Sequence, residues 1–343
     1  MMNKKYHYIV VQLVLAGLIL ITSISGCKNE ESIIKGEGEQ VFGLVSISVC
    51  NMRPDPAYNT ELISQAVMGT PVRILDSGSG WYFIRTPESY EGWVPAHSVK
   101  IMDQSEFMEW LSSDRLIYTG KFGDVLSDTV SSYILSDIVA GAIINLQERE
   151  GGYYSVRLPD DRTGYIDTAA ARPFDSWLSE TVPEGSGLKK SAERFTGIPY
   201  LWGGTSPKAF DCSGFTRTVY YLNGVILLRD ASQQYMHGIK IGKEGYPDSL
   251  MTGDLMFFGY ERDGALRPTH VGMYIGDGEF IHASGRVKVN SLDSTRSNFS
   301  RGRRDSFLGV RRIIGAETGE GIQYISAHPW YINKPWDQQG HKN

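Results

Sequence analysis

Of the three cysteines in this 343-residue chain, one has neighbours suited to nucleophilic chemistry. Cys212 lies in Phe210-Asp-Cys-Ser-Gly-Phe215, and Phe215, Val219 and Leu222 follow at the spacing of one helical face. Asn223-Gly224 supplies a stop. The pattern predicts a helix whose N-terminus carries Cys212, where the dipole and unpaired N–H groups favour a thiolate. Asp211 or Ser213 can cap that helix. A carboxylate beside the thiol opposes ionisation, so Asp211 is expected to cap or to bind substrate.

A nucleophile needs a base, and the base needs a group that orients it. Gly253-Asp-Leu-Met-Phe-Phe258 reads as a strand after a turn. Residues 269–275, 276–278 and 279–284 then read as strand, turn and strand, with His270 opening the first strand and His282 near the end of the second. Register decides whether the rings meet. A two-residue turn would put them on opposite faces. A three-residue loop, Gly276 to Gly278, pairs Ile275 with Glu279 and makes the two histidines diagonal neighbours. That register is predicted, with His270 as base and His282 as orienter. One Cys and two His could also ligate zinc, but a structural zinc site wants a fourth ligand and the region offers no second Cys. No metal or cofactor is expected. His237 and His328 are expected at the surface.

The elements that must position this chemistry begin with Tyr200-Leu-Trp202-Gly203-Gly204. Paired glycines let the backbone turn sharply and approach a ligand closely, Tyr200 and Trp202 can act as walls or donors, and Pro207 fixes the turn. Upstream, residues 41–172 read as short strands and turns. Gly69-Thr-Pro-Val-Arg-Ile-Leu, Gly80-Trp-Tyr and Gly92-Trp-Val recur 72 residues later as Gly141-Ala-Ile-Ile-Asn-Leu, Gly152-Tyr-Tyr and Gly164-Tyr-Ile. Each unit has about 60 residues, a size that packs against a neighbour rather than standing alone. Glu61 maps to Tyr133 and Tyr90 to Arg162, so the barrel itself demands neither. Cys50 is expected to be a buried small hydrophobe. Residues 173–186 read as a linker.

A net charge of −5 argues against a nucleic-acid partner, and three cysteines cannot build a disulfide framework. Residues 1–27 read as a targeting segment: Lys4 and Lys5, an apolar run from Ile9 to Ile21, then Ile24-Ser-Gly-Cys27. The last four residues resemble the lipobox of bacterial lipoproteins, which implies acylation at Cys27 and a lipid anchor in the cell envelope, on its periplasmic or surface face. Residues 28–40 are polar, as a tether should be.

The motifs around Cys212, Arg229-Asp-Ala-Ser-Gln-Gln234, the Gly253 strand and the His270–His282 hairpin together resemble the NlpC-type cell-wall cysteine peptidases over residues 186–315. The resemblance implies an α+β fold: two N-terminal SH3-like small β-barrels (41–102 and 103–175), then a papain-like cysteine peptidase domain, with a tail at 316–343. It implies a Cys212–His270–His282 triad acting on peptidoglycan peptides at the bond between γ-D-glutamate and a diamino acid. Asn51-Met-Arg-Pro54, Glu61-Leu-Ile63 and Gly92-Trp-Val94 resemble a bacterial SH3-like domain, and the whole arrangement is similar to the γ-D-glutamyl-L-diamino acid dipeptidyl-peptidases. There, an acidic residue of the first module binds the free amine of N-terminal L-Ala. Glu61 fits that position with Tyr90 as its aromatic companion, and Tyr200, Asp211, Ser213, Arg229 and Asp230 match positions lining the substrate site, beside Trp202. The second module matches only in its latter half and is expected to pack. The enzyme is expected to be a monomer. The competing readings are an endopeptidase on intact wall, a non-catalytic wall-binding lipoprotein, and acyl-transfer chemistry.

Overall fold

The computed structural model describes residues 40–130, 133–241 and 248–333. Cys27, the targeting segment and Trp336 lie outside these residues. Among the described residues no helix is long and apolar enough to cross a membrane.

The first module comprises β1 (Val41–Val45), β2 (Val49–Met52), β3 (Ser64–Val67), β4 (Pro71–Gly78), β5 (Trp81–Arg85), β6 (Glu91–Pro95) and β7 (Val99–Met102). One sheet runs β6-β5-β4-β1-β7, and the β2–β3 hairpin joins its edge where Arg53 bridges Trp93. After α1 (Gln104–Ser112), the second module repeats the plan with β8 (Arg115–Tyr118), β9 (Phe122–Leu126), β10 (Ile134–Val139), β11 (Ile143–Glu150), β12 (Tyr153–Arg157), β13 (Thr163–Asp167) and β14 (Ala171–Pro173). Its sheet runs β10-β9-β13-β12-β11-β8-β14, which is the first module's order with the hairpin fused on. Strands β4, β5 and β6 recur as β11, β12 and β13 at a constant offset of 72 residues. The likeness therefore extends beyond the latter half of the second module, where the sequence stopped showing it. Gly69 and Gly141 open the equivalent strands at φ +74° and +91°, a region that costs any residue with a Cβ. At Gly69 a Cβ would also lie 1.6 Å from the Ile143 carbonyl oxygen, so the modules meet backbone to backbone there.

Residues 173–186 are not a linker. They hold α2 (Phe174–Glu180), which buries Phe174 and Trp177, and the start of α3 (Gly185–Glu193). The two aromatics sit one turn apart on a single short face, too brief a pattern for periodicity to flag.

The rest is one α+β unit: β15 (Thr205–Ser206), β16 (Ala209–Phe210), α4 (Cys212–Tyr221), β17 (Val225–Leu227), α5 (Ala231–Gln234), β18 (Ile239–Lys240), β19 (Leu255–Arg262), β20 (Ala265–Gly276), β21 (Glu279–Ser284), β22 (Arg286–Ser291), α6 (Arg301–Asp305), β23 (Phe307–Arg312) and β24 (Ile322–Tyr324). An antiparallel sheet runs β18-β23-β19-β20-β21-β22. Both faces of its centre are buried, so β19 opens with the apolar run Leu255–Phe258. Leu255 and Phe257 join a core with Phe215 and Val219 of α4, while Met256 and Phe258 pack with Phe280 and Phe307.

The tail is pinned to this body. β24 pairs with β17, and Trp330 and Tyr331 join Phe42, Phe107, Trp110, Phe174 and Trp177 in a core shared by the first module, α1, α2 and the tail. His328 is therefore not a surface residue: it is 7% exposed, and its Nε2 lies 3.2 Å from the Pro87 carbonyl oxygen. His237 is half-buried against Gly321.

Candidate active site

Asp211 fixes the start of α4. Its Oδ1 accepts from the Gly214 N–H at 2.7 Å, and its Oδ2 accepts from the Gly203 N–H at 3.1 Å, which ties the glycine turn to the helix. Arg229 donates to both oxygens, at 3.3 and 2.5 Å, as well as to Ser213 Oγ at 3.1 Å and Ser64 Oγ at 3.2 Å. The Arg229 side chain is 2% exposed. Arg229 lines the cleft, but its hydrogen bonds go to the protein.

Cys212 is 7% exposed at the first position of α4. Burial, and after it the Asp211 carboxylate, push its thiol up to about 11 against the opposing Val271 and Ser213 amides. Burial therefore opposes the bias toward thiolate that the helix start provides. The base must take the proton as the sulfur attacks. Cys50, by contrast, is fully buried beside Ser98 Oγ at 3.1 Å, with its thiol pushed up to about 12.

The two histidines meet. His270 Nε2 lies 2.7 Å from His282 Nδ1, with the rings perpendicular. The hairpin reaches this by a route other than the predicted loop. Gly276 pairs with Glu279 across a two-residue Asp277-Gly278 turn, both residues at positive φ (54° and 72°), as a type I′ turn requires. A bulge at Ile275 then restores the pairing of Tyr274 with Phe280 and Met273 with Ile281. The extra residue cancels the face change that such a turn would otherwise impose. A second bulge, between Phe258 and Gly259, leaves Thr269 unpaired next to His270, and Thr269 faces the cleft. Burial holds His270 well below the usual imidazole range, with Arg303 adding to the effect. Burial likewise lowers His282 to about 4, against the opposing Asn290 hydrogen bond. Both rings are therefore neutral near pH 7, as an acceptor of the thiol proton must be. Asn290, whose Oδ1 lies 2.9 Å from His282 Nε2, is a residue the sequence reading missed.

A cleft of about 470 Å³ leads to the thiol, lined by Glu61, Tyr90, Tyr200, Trp202, Asp211, Cys212, Ser213, Arg229 and Asp230. Residues as far apart in sequence as Glu61 and Thr269 are thus brought together, and one segment of the first module, residues 61–65, does most of the joining. Glu61 and Ile63 line the cleft. Leu62 abuts Gly203, where φ is +78° and a Cβ would lie 2.3 Å from the Leu62 carbonyl oxygen. Ser64 bonds Arg229, and Gln65 takes hydrogen bonds from Thr205 N, Thr205 Oγ1 and Ser206 Oγ at 3.0, 2.7 and 2.9 Å. Ser64 and Gln65 were not foreseen, because their role lies in a contact between modules. Asp211 is paired with Arg229, whereas among the described residues neither Glu61 nor Asp230 forms a salt bridge. Tyr90 stands with them: burial and then the Asp230 carboxylate push its phenol up, Arg229 opposes, and Asp211 and Glu61 add smaller effects. Burial and then Cys212 push Tyr200 up to about 12.

A buried thiol at a helix start, beside the Val271 backbone of the antiparallel sheet that carries the histidine pair, belongs to a papain-like α+β cysteine peptidase fold. Comparison with known proteins makes this specific. Residues 197–304 match the NlpC/P60 family, and residues 52–99 match the bacterial dipeptidyl-peptidase Sh3 domain. The chain carries an NlpC/P60 peptidase domain behind a bacterial dipeptidyl-peptidase SH3-like domain. It is 29% identical over 267 residues to dipeptidyl-peptidase 6 of Lysinibacillus sphaericus, covering 73% of this chain and 91% of that one. It is 28% identical over 265 residues to a γ-D-glutamyl-L-lysine dipeptidyl-peptidase of Bacillus cereus, covering 74% of this chain and 76% of that one. A crystal structure of an NlpC/P60 family protein from Bacillus cereus superposes with a TM-score of 0.69 at 23% identity, covering 79% of this chain and 99% of that one.

Proposed function

We propose that this enzyme hydrolyses the bond between γ-D-glutamate and the diamino acid of peptidoglycan stem peptides, and that it acts on peptides with a free N-terminal L-Ala to release L-Ala-γ-D-Glu. The observation that carries the second part is that two carboxylates, Glu61 of the first module and Asp230 of the peptidase domain, line the same cleft as the thiol beside Tyr90, with no salt-bridge partner for either among the described residues. An ammonium group placed between them gains charge-assisted hydrogen bonds. The name of the γ-D-glutamyl-L-lysine dipeptidyl-peptidase relative supports the same substrate class, and both relatives are named dipeptidyl-peptidases.

In this mechanism Cys212 Sγ attacks the γ-carbonyl carbon of D-Glu while its proton passes to His270. A backbone N–H at the start of α4 stabilises the oxyanion. His270 then protonates the departing amine of the diamino acid, leaving a thioester on Cys212. Water, deprotonated by His270, attacks the thioester, restores the thiol and frees the dipeptide. Tyr200, Trp202 and Ser213 shape the cleft, and Asp211 with Arg229 holds the loop and helix that bear the thiol.

Mass spectrometry of digests of L-Ala-γ-D-Glu-L-Lys and its diaminopimelate counterpart tests this reading. Release of L-Ala-γ-D-Glu is expected, with the N-acetylated peptides spared. Absence of the dipeptide would refute the reaction, and equal cleavage of the acetylated peptides would refute the amine requirement in favour of endopeptidase action. The proposal includes export as a monomeric lipoprotein acylated at Cys27, with residues 28–40 as tether. Cys27→Ser should then release the protein from the membrane fraction; retention there would contradict the anchor.

A further inference from the structure

Beyond the thiol and the two histidines, we infer that Asn290 is a positioning residue that sets the proton arrangement of the histidine pair from a third strand. The inference rests on the assignment of Cys212 and His270 as nucleophile and base.

The Asn298 carbonyl oxygen can only accept, and Asn290 Nδ2 donates to it at 2.8 Å. The Asn290 amide is thereby oriented with Oδ1, also only an acceptor, toward His282 Nε2 at 2.9 Å. That nitrogen must carry the proton. A neutral His282 then has a lone pair on Nδ1, and the 2.7 Å contact requires His270 to donate Nε2–H to it. His270 is left with Nδ1 as its unprotonated nitrogen, the form that can accept the thiol proton. Once it has done so, the imidazolium still points an N–H at a lone pair. In the opposite tautomer, His282 would present an N–H to His270, hold His270 as the Nδ1–H form and block the proton transfer.

The fold builds this chain across adjacent strands. β21 pairs with β22 so that His282 faces Lys288 and Phe280 faces Asn290, which places Asn290 diagonally from His282 on the same sheet face. The acceptor end is fixed separately. The Asn298 carbonyl also takes the Ser291 N–H at 3.1 Å, and the Asn298 side chain donates to Glu279 Oε1 at 2.8 Å. His282 is 1% exposed, so water cannot readily substitute for Asn290.

The test combines a spectroscopic readout on the free protein with kinetics. In ¹⁵N-histidine-labelled wild type at neutral pH, His282 should show the Nε2–H tautomer alone; an Nδ1–H signature would overturn the inference whether or not the substrate assignment holds. Asn290→Ala should give mixed His282 tautomers. It should also lower kcat about 10- to 100-fold with KM within about twofold, part of the ~10²–10⁴ that a positioned base contributes. Asn290→Asp keeps an acceptor on Nε2–H and adds a negative charge that favours imidazolium. It should retain most of kcat and move the acid limb of the kcat/KM profile to higher pH. Wild-type kcat and pH profile in both variants would overturn the inference. If Asn290→Ala does not fold, the wild-type tautomer and the Asn290→Asp profile decide. A wild type with the Nε2–H tautomer but no dipeptide release would separate failure of the substrate reading from failure of this one.

Discussion

Cys212→Ala is expected to lower release of L-Ala-γ-D-Glu by about 10⁴-fold or more, because no other group in the cleft can form the thioester. The fold should survive. The side chain is small and buried in the core beside Phe210 and Phe215, and losing the sulfur costs on the order of 1 kcal/mol. Kinetics on the tripeptide, paired with urea unfolding of the same variant, make the check. Residual turnover within about tenfold of wild type would remove Cys212 as nucleophile. Loss of activity together with a much lower unfolding midpoint would mean that the residue is needed for the core instead.

The second large effect concerns stability. Asp211 accepts from the Gly203 and Gly214 amides and neutralises Arg229, which is 2% exposed. Asp211→Ala strands that guanidinium in a buried site, at a cost of about 3–5 kcal/mol, and removes the cap of α4, which adds about 1 kcal/mol. Asp211→Ala/Arg229→Met removes both charges and should recover a large part of the loss, since a matched apolar pair is often as stable as a buried ion pair. Urea midpoints of the two single variants and the double give the coupling directly. A destabilisation below about 1 kcal/mol for Asp211→Ala would show that water replaces the carboxylate and that the pair does not hold the cleft together.

How far the site was legible depends on whether its parts are local. The start of α4 could be read because Phe215 and Val219 carry the helical period and an Asp precedes them. The repeat could be read because β4, β5 and β6 recur with no gap. The first halves of the modules diverged in sequence yet kept their strand order, since small barrels need only alternating burial at those positions. The histidine face was anticipated but the turn was not. Asp277-Gly278 is a strong two-residue signal, and only the bulge at Ile275, which has no clear local signature, reconciles it with two rings on one face. Asn290 was missed because the search for an orienter ended at His282, although the alternation of Val287, Val289 and the polar residues between them marks a third strand. Residues 61–65 could be tied to the peptidase domain by resemblance at Glu61 alone. The contacts of Ser64 and Gln65 span more than 130 positions in sequence and follow from no local pattern. The pKa of Cys212 is a property of the assembled site: a helix N-terminus lowers it, burial raises it, and only the packed structure decides between them.

The central claim is that a carboxylate of the first module selects the free amine of the substrate, and one comparison tests it most directly. Wild type and Glu61→Gln are each assayed on L-Ala-γ-D-Glu-L-Lys and on its N-acetyl derivative. Glu61 is exposed at the cleft and its carboxylate forms no salt bridge among the described residues, so the variant should fold as wild type does. Loss of one charge-assisted hydrogen bond should lower kcat/KM on the free peptide about 10- to 100-fold. The slow rate on the acetylated peptide should stay unchanged, so that the preference of wild type collapses. An equal fall on both peptides, or a preference that survives in Glu61→Gln, would contradict the account.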